Sequence, residues 1–385
     1  MTDLSYSEEE DEFRARLREW LAGALPGLPP KPSPDDWPGR RAYDTTWQRM
    51  LYDAGYAGLH WPVDAGGQGA TPTRQLIFLE ETEKAGAPYV GANFVGLLHA
   101  GPTVAAEGTA EQRARWLPPV LKGEEIWCQG FSEPEAGSDL AALRTRAVRD
   151  GDHYVVSGQK IWTSHAEVAD WCELLVRTDP EAPKHRGISW LAMPMDAPGV
   201  TVRPLRTLAG STEFAEMFLD EVRVPVANRV GEENDGWRVT MVTLSFERGT
   251  AFVGEVVACR RTLAALAAEA RATGRWNDAV LRRRLGRLNA EFRALWRLTQ
   301  WNVSEAQRSG GVPGAGGSVF KLRYSQARQE LYEAAAEVLG ADACDLDREW
   351  VLDRLSSLSY TIAAGTSQIQ RNIVAERILG LPKGR

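Results

Sequence analysis

The chain is poor in the residues that build metal and redox centres. Its four cysteines (Cys128, Cys172, Cys259, Cys344) are scattered and form no CxxC pair, and its five histidines show no HExxH spacing. That argues against zinc or dithiol chemistry and for a reduced protein. No uninterrupted apolar run approaches the roughly 18 residues that a membrane helix needs. The acidic opening MTDLSYSEEEDEF lacks the basic and apolar regions of a signal peptide. A cytoplasmic protein without a membrane span is therefore expected. A basic surplus is missing too, and the net charge of −7 disfavours a nucleic-acid surface. It leaves room for a local basic pocket holding a phosphorylated ligand. No GxSxG is present, so a serine-hydrolase elbow is excluded. GGQGAT at 66–71 does not follow the dinucleotide-fingerprint spacing and reads as a turn.

What is present is ordinary for a globular protein. Apolar residues make up 43% and charged residues 25% of 385, enough for two or three units around a large core. The fourteen tryptophans are expected mostly in the core or at interfaces. The order of patterns predicts a mainly α protein with a central β domain. An N-terminal helical domain (1–124) opens with a Ser7–Glu10 capping box and the stripe Phe13, Leu17, Trp20, Leu21. PGLPPKPSP interrupts it, and helices resume near 42–54, 73–85 and 111–121.

A small β-barrel-like middle domain (125–232) follows, with no βαβ alternation and so no Rossmann unit. It holds a hairpin over 147–157, turning at Asp150-Gly151, and strands near 171–177, 188–194, 200–206 and 215–224. The last segment (233–385) reads as a four-helix bundle. Its apolar-periodic stretches cover 236–272 and 281–309. The loop SGGVPGAGGS comes next, with Ser318 placed to cap a helix that ends near Gly340. A final helix begins within TSQIQRNIVAERIL, with Ile369, Ile373 and Val374 on one side.

That order, and several long motifs within it, resemble the acyl-CoA dehydrogenase family. WCQGFSEPEAGSDLAALRTRAVRDGDHYVVSGQKIWTS (127–164) looks like the family's flavin-binding signature. RPLRTLAGSTEFAEMFLDEVRVP, EENDGWRVTMVTLSFERG and the C-terminal GTSQIQRNIVAER match further segments, so the resemblance spans almost the whole chain. It implies FAD as cofactor. Gln129, Phe131, Ser132, Gly137, Ser138, Trp162 and Ser164 fall at flavin-contacting positions, as do Thr366, Ser367 and Gln368. Trp162 is expected to cover one flavin face, and Ser164 to bond near N5. Gly137-Ser138 allows close backbone approach to a phosphate. Ser138, Arg248 and Gly365 are expected to meet the acyl-CoA substrate. Glu135 stands where the family usually has glycine; a positive φ there would strain it.

The reaction the resemblance implies removes an α-proton from an acyl-CoA thioester and passes the β-hydrogen as hydride to flavin N5. The family's usual catalytic glutamate would precede Gly365, but that residue is Ala364. Its amide remains available to the thioester oxygen, while its side chain cannot take a proton. Glu247, in LSFERG, is the candidate base, among otherwise apolar or small neighbours. Isovaleryl- and long-chain acyl-CoA dehydrogenases carry the base on this helix in a similar context. Arg248 is expected in the same cleft.

Family members complete each FAD site from a neighbouring subunit. Here that half is weak: ARATGRWND keeps Arg271 and Gly274 but lacks the phenylalanine, and LGADACD has one glycine where two are usual. Either a homotetramer tolerates this, or the chain is half of an α2β2 heterotetramer with a related subunit. Such pairs act on steroid side-chain CoA esters in bacterial relatives whose ending resembles AERILGLP. Electrons would pass to an electron-transfer flavoprotein. Ala363 and Ala364 leave room for branched or ring-bearing acyl groups. Two other readings stand beside this one: a non-catalytic, site-completing subunit, and a family member doing other flavin chemistry on a thioester.

Overall fold

The computed structural model describes residues 5–250, 252–308, 316–346 and 348–383. The chain opens with helix α1 (Glu8–Ala24), whose start is the expected capping box. Glu10 N–H donates to Ser7 Oγ at 3.3 Å and Ser7 N–H to Glu10 Oε2 at 2.9 Å. Four acidic residues in the first turn suit the positive end of the helix dipole, and Phe13, Leu17 and Leu21 turn to the core. Helices α2 (Trp37–Asp53), α3 (Pro72–Lys84), α4 (Gly101–Glu107) and α5 (Ala110–Lys122) complete the first layer. α4 was not anticipated: a π-helical turn, Gly96–Ala100, runs into it, and it is only seven residues long with Pro102 in its first turn.

The middle of the chain forms eight strands: β1 (Trp127–Gly130), β2 (Arg146–Asp150), β3 (His153–Ser164), β4 (Trp171–Arg177), β5 (Ile188–Pro194), β6 (Val200–Leu205), β7 (Phe214–Pro225) and β8 (Arg229–Val230). They pair in the order β6-β7-β3-β2-β4-β5-β8, with β1 added parallel to β4. The link between β2 and β4 is a single parallel pair, Arg146 with Arg177, so two antiparallel halves fold onto each other. Between them lie Cys128, Tyr154, Val156, Cys172, Leu174, Leu191, Met193, Met217, Val222 and Val224, a barrel-like interior. β3 extends past the expected hairpin as far as Ser164. A register shift between Lys160 and Thr163 carries it into the site described below. Four tryptophans join sheet to helix: Trp116 of α5 meets Trp127 and Trp171 edge-on, and Trp127 stacks with Trp171 and Trp190.

The C-terminal helices are α6 (Gly236–Thr250), α7 (Val253–Ala272), α8 (Ala279–Arg308), α9 (Gly316–Leu339), α10 (Glu349–Ser357) and α11 (Ser367–Ile373). The periodic stretch 236–272 is thus two helices rather than one; Phe252 at their junction has φ −107 and ψ 12. Ser318 is not a cap. It lies in the first turn of α9, 2% exposed, because that helix starts at Gly316. α9 does stop as expected before Gly340, whose φ of 62 ends the helix. α10 was missed because its stripe is short. Ile369, Ile373 and Val374 are only half-buried; Ser367 and Gln370 are the side chains α11 hides.

Candidate functional site

The loop after β1 is built on a buried ion pair that the motif alone did not reveal. Lys160, fully buried on β3, places Nζ 2.9 Å from Glu133 Oε1 and 3.1 Å from the Phe131 carbonyl. Glu133 also accepts from the backbone N–H groups of Arg144 (2.7 Å) and Thr145 (2.8 Å). Burial pushes the Glu133 carboxyl up, but Lys160 and these donors outweigh it and hold it below its ordinary value of 4.5. The signal was legible: Lys160 occupies a buried face of β3 that Tyr154 and Val156 share, where a lysine has no reason to sit unless paired. The pair fixes Phe131–Glu133 against β3, and the Ile161 N–H donates to the Ser132 carbonyl at 3.0 Å. Phe131, Ser132 and Trp162 are thereby brought to one place.

Past that anchor the loop opens outward. Gly137 and Ser138 are exposed, and a side chain on Gly137 would meet nothing within 4 Å. Glu135 has no positive φ, so the strain foreseen for it does not arise. Its carboxylate lies in solvent, 3.4 Å from Arg144. The departure sits at Trp162 instead: φ is 62, and the indole is 57% exposed, edge-on to Phe214. Such a left-handed tryptophan is held only because the strands around it over-determine it. Thr163, beside it, is buried with its hydroxyl unpartnered in the protein, and Ser164 is half-buried. Gln129 turns toward the π-helical turn, its Nε2 3.2 Å from His99 Nδ1 and 2.7 Å from Glu173 Oε1. His165 follows, with φ 58 and Nδ1 without a partner. Burial, with Arg40 nearby, lowers its pKa from 6.5 to about 4.

A second group of residues forms around the turn before α11. Ala364 and Gly365 adopt φ of 52 and 82. The Thr366 hydroxyl caps α11 by accepting from the Ile369 N–H at 3.2 Å; Ser367 Oγ is buried without a partner, and Gln368 is exposed. Behind the turn, Glu255 of α7 collects donors: Tyr324 at 3.0 Å, Tyr360 at 3.1 Å and the Arg328 guanidinium. Sequence reasoning missed this network, whose members lie far apart in the chain. Glu247 and Arg248 fall on α6, but their side chains lie outside the described residues. The helix itself is placed: Thr243, one turn earlier, bonds Thr103 of α4 at 2.9 Å.

Arg271 stands apart, exposed at the end of α7. Its guanidinium lies 4.1 Å over the Trp276 ring, and its Nη1 donates to the Ala267 carbonyl at 3.0 Å. Trp276 supplies an aromatic where the expected phenylalanine is missing. Arg275 reaches Gly340, so a Cβ there would sit 3.3 Å from its Nη2. The two weak half-motifs therefore meet at one end of the bundle.

Comparison with known proteins decides what this arrangement is. The acyl-CoA dehydrogenase N-terminal, middle and C-terminal domain families match residues 7–124, 128–222 and 234–379. The chain belongs to the acyl-CoA dehydrogenase family. Its members are flavoprotein oxidoreductases acting on CH–CH bonds. The acyl-CoA dehydrogenase IpdE1 of Mycobacterium tuberculosis is 38% identical over 386 residues, covering 98% of this chain and 99% of the relative. The solved Tcur3481-Tcur3483 steroid ACAD superposes with a TM-score of 0.84 at 32% identity, over 99% of this chain and 100% of that one. The ChsE4-ChsE5 complex from Mycobacterium tuberculosis superposes with a TM-score of 0.81 at 33% identity, again over 99% and 100%. The residues of this dehydrogenase suit a flavin. The exposed indole of Trp162, the open approach at Gly137 and the unpartnered hydroxyls of Thr163 and Ser367 are what a flat, hydrogen-bonding cofactor would use. Among the described residues no helix is long and apolar enough to cross a membrane.

Proposed function

We propose that the chain is an FAD-dependent dehydrogenase that forms an α,β double bond in a bulky acyl-CoA thioester, with Glu247 as the general base. The observation that carries the reading is an exchange of carboxylates. Ala364, on a constrained left-handed turn, has none, whereas α6 has one acidic residue in its whole length, Glu247. Glu247 removes the α-proton, and the amides of the Ala364–Gly365 turn meet the thioester oxygen as charge develops. When bound, the flavin accepts the β-hydrogen with its electron pair. Phe131, Ser132, Ser138, Trp162 and Ser164 line its place, and Thr366–Gln368 close it from the C-terminal side. Exposed Ala363 and Ala364 leave the acyl end open to branched or ring-bearing groups, which fits the steroid ACAD among the solved relatives. Turnover of short straight-chain thioesters alone would count against this substrate class. Electrons leave to an electron-transfer flavoprotein.

Replacement of Glu247 by Gln should lower turnover by roughly 10²–10⁴ while leaving bound FAD unchanged. Unchanged turnover would remove Glu247 from the role. A second reading concerns assembly: a related chain completes the cofactor site in an α2β2 tetramer. Two features support it. The Arg271–Gly340 end departs from the family motif, and the large apolar side chains of Ile362, Ile378, Leu379 and Leu381 near the C-terminus are each exposed.

A further inference from the structure

The turn that replaces the usual carboxylate is held from behind by two buried side chains. Lys321 of α9 is 4% exposed, and its Nζ donates to the Gly365 carbonyl at 2.7 Å. Gln370 of α11 is 6% exposed, and its Nε2 donates to the Ala364 carbonyl at 3.0 Å and the Gly365 carbonyl at 3.3 Å. Both carbonyls therefore point into the bundle. In a trans peptide the N–H lies opposite the C=O, so the clamp turns the Gly365 and Thr366 amides the other way and, with Ala364 held at φ 52, also sets the peptide that carries Ala364's own N–H. The same clamp fixes two successive left-handed residues, one of them alanine, a conformation that a non-glycine residue adopts only under constraint. It leaves no space at Gly365, where a Cβ would stand 2.8 Å from Gln370 Nε2.

We propose that Lys321 and Gln370 are positioning residues that preset the Ala364–Gly365 turn as the donor for the enolate oxygen of the bound thioester. The proposal rests on the dehydrogenase reading above and deepens it. The donor that grips the Gly365 carbonyl is a buried ammonium rather than a neutral group. Charge-assisted bonds are about twice as strong as neutral ones, and a bond on the carbonyl polarises the whole peptide. Donors that act on developing charge need to be in place before it appears. Neither side chain touches the reacting atoms; each acts through the backbone. Lys321 lies 44 residues from its acceptor, in a stretch that reads simply as helix, so no local pattern points to the contact.

The test uses the FAD-loaded protein, with its partner chain if loading requires one, and an acyl-CoA whose β-carbon is replaced by sulfur. Such a thioester can lose its α-proton but has no β-hydrogen to give. Exchange of its α-hydrogens with deuterated water therefore reports proton removal alone. Lys321→Met is expected to slow this exchange by on the order of 10²-fold, the range for losing one oxyanion donor, with analogue affinity changed only a few-fold. Gln370→Leu should lose less, and Lys321→Arg should recover part of the rate. In the ligand-free protein, amide exchange across 359–371 should rise in Lys321→Met while other segments keep their protection. If Lys321→Met does not fold, Gln370→Leu carries the same comparison. Wild-type exchange matched by the folded variants overturns the clamp alone. Absence of exchange in the wild type overturns the dehydrogenase reading, and the clamp with it.

Discussion

At the scale of single residues, the site is governed by side chains that hold backbone rather than by those facing the cleft. Lys160 and Glu133 show this most clearly. Removing one partner of a buried pair leaves an uncompensated charge and costs about 3–5 kcal/mol. Lys160→Met should therefore lower the thermal midpoint by several degrees and release FAD from a chain that still folds. A bound-FAD measurement beside a melting curve separates the two effects, and full FAD occupancy would show that the loop does not depend on the pair. Sign matters for the acid side. Glu133 is held below 4.5, so its contribution is present above that pH and is lost as the pH falls through the folded value. The histidines act higher. Burial lowers both His60 and His165 from 6.5 to about 4, so between those values the unfolded chain binds more protons than the folded one. Stability drawn from them fades as pH drops through that window. His60→Gln should flatten the stability–pH curve measured by denaturant titration between pH 6.5 and 4; an unchanged slope would mean that His60 protonates freely in the fold.

Among elements, what could be read from sequence was what repeats locally. The capping box at Ser7, the hairpin turn at Gly151 (φ 62) and the strands at 171–177 and 188–194 stand where their patterns placed them. So does the helix stop before Gly340. Period and capping are short-range signals, and here nothing long-range opposed them. The misreadings came from longer range. The stretch 236–272 keeps its apolar period across the break at Phe252, so the pattern carries no mark of it. β1, only four residues long, is held by pairing with β4 and by the tryptophan cluster rather than by its own alternation. In the site, the motif residues Phe131, Ser132 and Trp162 were legible. Of the groups behind them, Lys160 left a local signal on a buried strand face, but Lys321, Gln370 and the Glu255 network depend on contacts between distant segments and were not legible. Trp116 tests the join between α5 and the sheet. Trp116→Ala should cost about 3–5 kcal/mol, read by denaturant unfolding, because it opens a cavity against Trp127 and Trp171. A cost under about 1 kcal/mol would mean the cluster collapses to fill the space.

For the whole molecule, helical N- and C-terminal domains flank a central β domain, an architecture shared with the acyl-CoA dehydrogenases it matches. In the proposed reading the helices supply rigidity and, through Glu247, the proton-accepting carboxylate. The β domain supplies the flavin platform. Moving the base from the turn at Ala364 to α6 keeps the amides of the turn while freeing space beside them for a larger acyl group. The most direct measurement is the bleaching of bound flavin when a ring-bearing acyl-CoA is added anaerobically to the FAD-loaded wild type and to Glu247→Gln. The account predicts prompt bleaching by the wild type and a rate lower by roughly 10²–10⁴ in the variant at equal FAD content. Equal bleaching by both proteins would contradict it, and would place the base on another residue.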